Sequence, residues 1–586
     1  MECDVAIIGG GPSGSTVSTL LKKYNPALRV VVIEREVFPR DHIGESQLPA
    51  ISGVLNEMGV WDKVEAANFP IKIGASLTWG RDQESWDFDF YDVESFVDEP
   101  RPAKFEGQRR STAFQVDRAI YDDILLNHAK SCGADVLQPA RVAKVHVENE
   151  GTPIARIESL ELESGEQVTA RWYVDASGNV GLMRRALGVK VDAPKVLENI
   201  AFWDYWENTE WAVKIGVGAT RIQIRSLPWG WMWFIPIGPT RTSIGLVCPA
   251  AYYKQSGKSP AELYNETARA HPQIEPLIRN ATQRGNVEST RDWSYLAKQV
   301  AGENWFLVGE AAGFADPVLS AGMTLAHTSS REAAYTLLEI ERAEIDADWL
   351  RNWYNDKTRA NINQHIRFAE YWYASNGCFT DLREHCREIA RSAGLRLSPA
   401  EAWRWLAQGG FSNQDIRGYK LGSFDIGAAR KLVGMFSGED EKLAVAHQST
   451  LNLNLSGAKD DFGALLQNGR IERIPCWRKG QYILPKTGLH ANLVNLLNQT
   501  SDSMQMLNLL YSSISSQFPP HQRDRVMLDH VYALESMIST GWVQAKKVPN
   551  GRTIDFKSFS LRSSDEGLEA LHRRDEREAG KTGNAQ

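Results

Sequence analysis

The sequence has little that would tie it to a membrane, to nucleic acid, to a metal or to an oxidising compartment. No stretch of about eighteen or more apolar residues occurs, so no membrane-spanning helix is expected. Basic residues are not in excess: the formal net charge is -7, whereas binding a phosphate backbone needs a basic face. The six cysteines, Cys3, Cys132, Cys248, Cys378, Cys386 and Cys476, form no C-x-x-C pair and no cluster with histidine at metal-ligand spacing, so no metal site is expected. They read as reduced thiols of a cytoplasmic protein. A targeting peptide is not expected, because the first apolar run, Val5 to Ile8, leads straight into a glycine turn. No internal repeat of solenoid period is found.

What the sequence does hold is ample core material. Its 586 residues exceed what one hydrophobic core serves, and a composition 42% apolar and 24% charged is that of an ordinary globular enzyme. Two structural units are therefore expected. Residues 4–8 read as a buried parallel strand, Ser15 to Tyr24 as a helix, and 29–33 as the next strand, which makes a βαβ unit. Segments 71–79 and 86–90 alternate apolar and polar residues, the pattern of an antiparallel sheet with one face toward a cavity. From about residue 325 the pattern is helical, with Asp346 to Ser375 the longest stretch. Residues 564–586 are polar and poor in apolar anchors, and are expected to be a disordered tail.

Gly9-Gly10-Gly11-Pro12-Ser13-Gly14 fits G-x-G-x-x-G at the turn of the βαβ unit, with Glu34 at the end of the second strand. Gly9 permits the tight turn, Gly11 lets a pyrophosphate approach the backbone, and Gly14 lets helix and strand pack closely. The helix N-terminus then faces the phosphates, and Glu34 can accept from ribose hydroxyls. A bound dinucleotide is the expectation. The segments Phe114-Gln115-Val116-Asp117-Arg118, Tyr173-Val174-Asp175-Ala176-Ser177-Gly178 and Leu307-Val308-Gly309-Glu310-Ala311-Ala312 resemble the flavin-contacting segments of glutathione-reductase-like flavoproteins. That resemblance favours FAD and implies roles for Arg118 near the flavin and for Glu310, which replaces the usual Asp, at the ribityl chain. It also assigns Ser13, Arg40, Gly44 and Met323 to the cofactor.

Gly230-Trp231-Met232-Trp233-Phe234-Ile235-Pro236 resembles the G-W-x-W-x-I-P motif of flavin-dependent halogenases. In that family the paired tryptophans screen the flavin from the organic substrate, a role implied here for Trp231, Trp233 and Pro236. Lys72 follows Phe38-Pro39-Arg40-Asp41-His42-Ile43-Gly44-Glu45-Ser46 at the distance of the family's essential lysine. Simple alternation groups it with the small residues Gly74, Ser76 and Thr78 on one face of a strand. In the loop Phe314 to Thr324, backbone N–H groups of Ala321 and Gly322 correspond to the family's halide site, and such donors suit an anion.

The resemblance thus implies an α/β fold: a Rossmann-like FAD-binding βαβ domain with an inserted antiparallel substrate sheet, then a mainly helical C-terminal region. Residues 1–335 would form the halogenation module, and 336–563 would cover the substrate site. It implies an FADH2- and O2-dependent halogenase that makes hypohalous acid from a flavin C4a-hydroperoxide and halide, and delivers it through Lys72. A separate flavin reductase would supply the reduced cofactor. Leu319 stands where tryptophan halogenases carry Glu, so the implied substrate is an electron-rich phenol or pyrrole, free or tethered to a carrier protein. Asp292-Trp293 is similar to the same branch. Phe368, Tyr371, Trp372 and Tyr373 are candidates for a pocket roof, and His365 for a ring-proton base. The rival readings are a flavin monooxygenase, a prenyl-chain reductase and a non-catalytic flavin-binding partner; the first needs neither Lys72 nor the tryptophan screen.

Overall fold

A computed structural model of the chain describes residues 1–78, 85–91, 93–152, 154–194, 197–291, 294–375, 420–421, 424–425, 445, 448–480 and 482–548. Trp79, the Asp292-Trp293 pair, Cys378, Cys386, the tail 564–586 and the side chains of Leu319, Phe368, Tyr371 and Trp372 lie outside the described residues. The chain divides into two compact units, Met1–Leu382 with Leu466–Ile471, and Arg383–Leu465 with Glu472–Gln586. The first carries every candidate site residue.

That unit is built on two sheets. In the first, the strands Asp135–Leu137, Val30–Ile33, Glu2–Ile8 and Gln167–Asp175 lie side by side in that order, with Trp305–Leu307 against the end of the last. All these pairings are parallel. Val30–Ile33 is buried at every residue, the continuous apolar run expected of a strand covered on both faces. The helix Pro12–Tyr24 buries Val17, Leu20 and Leu21 completely, each worth about 1.5–3 kcal/mol of apolar burial. The helix Gly322–Arg342 packs on it, with Thr16 Oγ1 2.9 Å from His327 Nδ1 and Tyr24 edge-on to Tyr335. It runs through residue 335 without interruption.

The second sheet runs, among the described residues, through Thr282–Gln283, Asn199–Glu207, Arg241–Pro249, Gly230–Pro236, Thr220–Leu227, Ile71–Thr78 and Ser85–Asp89. One of its faces is a hydrophobic core of Phe202, Trp206, Met232, Phe234, Ile244 and Leu246 under the helix Pro260–Ala270. Because strand residues alternate, Trp203, Tyr205, Trp231, Trp233, Ser243 and Gly245 occupy the opposite face. The sheet is antiparallel except where Thr220–Leu227 meets Ile71–Thr78 in parallel.

The second unit combines the strands Thr450–Leu453, Tyr482–Pro485 and Val543–Lys546, and the parts of Lys459–Gln467 and Arg470–Lys479 outside residues 466–471, with the helices Gly488–Gln499, Ser503–Gln517 and Pro520–Ser539. Its core includes Leu451, Leu493, Met506, Leu510, Leu534 and Trp542. No helix among the described residues is long and apolar enough to cross a membrane.

Candidate functional site

At the end of strand Glu2–Ile8 the glycine turn is set by three close approaches. Gly9 has φ +102°, and a Cβ there would lie 2.4 Å from Ala176 O. A Cβ on Gly14 would lie 1.9 Å from Gly9 O, so helix and turn can touch only without one. In front of Gly11 the space is open, with Arg40 the nearest group at 3.7 Å. Ser13 is buried, and the second glycine segment closes on it: a Cβ at Gly309 would meet Ser13 Oγ at 2.3 Å. Glu34 accepts the Gly10 N–H at 2.6 Å and the Glu36 N–H at 2.8 Å. Each of those oxygens keeps a second acceptor direction for a ribose hydroxyl.

Beside this turn Arg118 is clamped. Its Nε and Nη2 donate to Asp122 at 2.7 and 2.8 Å, and its Nη1 donates to the carbonyls of Ile43 and Gly44 at 3.0 and 3.1 Å. Arg40 reaches the same Asp122 at 3.0 Å. The two guanidinium groups outweigh the burial of Asp122 and hold its carboxyl below the ordinary range. Glu310 is pushed up by burial, against the pull of Arg118 and the Asn179 N–H. Between this cluster and the second sheet, Ser46 Oγ and both amide atoms of Gln115 are buried without a hydrogen-bond partner among the described residues. Orphaned buried polar atoms are costly unless something binds them. With the open turn at Gly11 and with Arg118, they fit the polar edge of a flavin.

In the loop beyond, Asp316 caps Val318 N–H at 2.9 Å. Ser320 is in the left-handed region at φ 57°, and the helix Gly322–Arg342 begins directly after Ala321. The first N–H groups of any helix lack an intrahelical acceptor and attract anions. A Cβ on Gly322 would meet Phe314 at 2.7 Å, and Ala321 and Met323 are buried.

On the sheet face opposite its core, Trp231 and Trp233 lie 5.9 Å apart, tilted by 51°. Both indole N–H groups are bound, Trp231 to Tyr373 at 2.8 Å and Trp233 to Ser243 at 3.1 Å. Gly245 makes room for the second ring: a Cβ there would stand 2.1 Å from it. Pro236 is buried opposite Thr242. Trp231, Trp233 and Pro236 are thus on one strand.

Lys72 is 1% exposed. Its face differs from that given by simple alternation. Thr220 stands opposite Lys72 but Arg221 opposite Gly74, so Ile73 is an extra residue in the ladder. Such a bulge shifts the phase of the strand by one residue. Lys72 falls into step with Thr220 and, two and four residues on, Ile222 and Ile224, and Ile224 pairs with Trp233. It therefore joins the tryptophan face and leaves the company of Gly74, Ser76 and Thr78. Its Nζ lies over the ring of Phe90 at 5.4 Å. Burial pulls the amine down to about 7, with no counter-charge among the described residues to resist it.

Residues that sequence reasoning passed over complete this face. Glu45 is buried and pushed up to about 7 by desolvation, with Ser243 and Tyr205 as its polar neighbours. Ser243 and Gly245 serve Trp233, and their signal is a cross-strand register that a sequence does not print. Phe90 continues the alternation of Trp86-Asp87-Phe88 and was legible in principle. His365 Nδ1 donates to Asn361 O at 2.8 Å, since a carbonyl only accepts, so that nitrogen carries the proton. Burial lowers its pKa. The second strand end is closed by Asp175, which accepts the N–H groups of Ser177 and Met183.

A family described as tryptophan halogenase matches the chain over residues 4–100 and 96–396. A 1H-pyrrole-2-carbonyl-[peptidyl-carrier protein] chlorinase of Pseudomonas fluorescens is 34% identical over 390 residues, covering 65% of this chain and 85% of the relative. The flavin-dependent halogenase armH1 of Armillaria mellea is 32% identical, over 61% of this chain and 68% of its own. Among solved structures, the myxobacterial chondrochloren halogenase CndH aligns with a TM-score of 0.57 at 26% identity, over 74% of this chain and 96% of that one. The flavin-dependent halogenase CmlS shares the fold over 95% of this chain and 99% of its own, with a TM-score of 0.69 at 24% identity.

Proposed function

The chain belongs to the tryptophan halogenase family, flavin-dependent enzymes that use FAD, halide and O2, and on that premise we propose that it delivers halogen through Lys72 to an electron-rich phenol or pyrrole. Bound in reduced form, FAD would give two electrons to O2, leaving two oxidising equivalents of that O2 to turn halide into hypohalous acid. Gly9, Gly11, Ser13, Gly14, Glu34, Arg40, Gly44, Arg118, Glu310 and Met323 hold the cofactor in this reading. The N–H groups of Ala321 and Gly322 hold the halide, and Trp231, Trp233 and Pro236 keep the organic substrate from the flavin. A separate flavin reductase supplies the reduced cofactor.

The observation that carries the proposal is the buried amine of Lys72 on the tryptophan face, with no carboxylate among the described residues to offset it. An amine with a pKa of about 7 is about half neutral at neutral pH. A neutral amine can displace hydroxide from hypohalous acid, keeping the halogen and releasing water as its proton leaves. A phenol or pyrrole then attacks that halogen with its own activated ring; the N–halogen electron pair returns to the Lys72 nitrogen, which regains the amine by taking up the proton that the ring gives up. Leu319 in place of Glu supports a substrate that needs little help in losing its ring proton. The name of the Pseudomonas fluorescens relative, which refers to a carrier-bound pyrrole, supports a tethered substrate. The test is to supply reduced FAD, O2 and bromide or chloride with phenol, free and carrier-bound pyrrole, and indole, and to follow mass. A halogenated phenol or pyrrole is expected; a product with added oxygen and no halogen contradicts it.

A further inference from the structure

Tyr373 lies near the end of the helix Ala347–Ser375. Its oxygen accepts the indole N–H of Trp231 at 2.8 Å. Its own proton goes to Asp316, whose two oxygens both stand at 3.0 Å. The direction follows from chemistry: indole can only donate and an ionised carboxylate can only accept, so the phenol oxygen accepts from Trp231 and its O–H donates to Asp316. Asp316 Oδ1 also accepts the Val318 N–H. All three side chains are buried, so water does not compete for these bonds. Burial and the facing carboxylate push the phenol pKa well up, and the donor keeps its proton.

The loop these bonds reach has a shape that needs support. Ser320 has φ 57° without being glycine, a conformation that persists where the surroundings over-determine it. Asp316 is the side-chain anchor at the start of that loop, and Ala321 and Gly322 follow at its end. We propose that Tyr373 is a positioning residue that holds the halide loop in register with the tryptophan screen. The inference rests on the reading of Ala321 and Gly322 as the halide site. It adds a second tie, from a helix remote in sequence, that fixes where halide sits relative to Trp231.

The test uses full-length, FAD-loaded protein and the variants Tyr373→Phe and Asp316→Asn. Bromide is titrated against the fluorescence of bound flavin, and KM for bromide is compared with kcat, alongside FAD affinity and melting temperature. Losing one charge-assisted bond should weaken bromide binding about tenfold in Tyr373→Phe. KM for bromide should rise by the same factor, with FAD affinity kept and kcat changed less. Asp316→Asn keeps an oxygen for Val318 and weakens only the tie to the phenol, so a smaller shift in the same direction is expected. If Tyr373→Phe does not fold, Asp316→Asn decides by the same readouts. Variants that melt lower but bind bromide as wild type does overturn the inference and leave the halide loop standing. A wild type that binds no bromide overturns the loop reading and this inference with it.

Discussion

Lys72 holds its ammonium nitrogen 5.4 Å from the ring centroid of Phe90, and no carboxylate among the described residues offsets its charge. A cation over an aromatic face gains some electrostatic attraction, but far less than water would give. The buried charge is therefore a liability to the fold, and groups perturbed in this way cluster at functional sites.

That liability has a sign that can be measured. Unfolded, the amine keeps its proton up to about 10.5; folded, it releases it near about 7. Between those values folding expels a proton, so stability rises with pH. Urea midpoints at about pH 7 and about pH 9 should climb in wild type relative to Lys72→Met, which keeps the volume and loses the amine. Parallel behaviour of the two proteins contradicts the buried, unpaired amine.

Gly245 gives Trp233 its place, since a Cβ would stand 2.1 Å from the indole. Gly245→Ala forces the ring to move and costs about 1–3 kcal/mol of overpacking. The expected result is a modestly lower melting temperature with a larger share of oxidant lost as hydrogen peroxide or free hypohalous acid. Unchanged coupling of flavin oxidation to product would remove Trp233 from the screen.

Arg118→Lys keeps the charge but not the fork that meets Asp122, Ile43 and Gly44. One lost charge-assisted bond is worth about 1.5–3 kcal/mol. FAD should bind about tenfold more weakly, read from flavin fluorescence on titration. Affinity equal to wild type would place the cofactor away from this cluster.

Sequence made the glycine turn of the proposed cofactor site legible because its residues are forced by contact. Gly9 and Gly14 sit where a Cβ would collide with backbone, and no side chain substitutes for that need. The tryptophan pair was legible for a similar reason, since alternation alone puts Trp231 and Trp233 on one face. Lys72 was legible as a residue but not as a direction. Its face is set by the extra residue Ile73, and a bulge depends on the partner strand Thr220–Leu227, far away in the chain. Tyr373 was visible only as one of several aromatic residues on a helix, and its partners Trp231 and Asp316 are 142 and 57 residues away. The strands Lys459–Gln467 and Arg470–Lys479 escaped the helical reading because they are half exposed and charged, which blurs their alternation.

The central claim is tested most directly by comparing wild type with Lys72→Met under reduced FAD, O2 and bromide, measuring halogenated phenol or pyrrole and, in the same reaction, hypobromous acid caught by a thiol trap. The account predicts that halogenated product falls by at least about a hundredfold while trapped oxidant and FAD binding stay at wild-type levels. Halogenation that survives in Lys72→Met would contradict it.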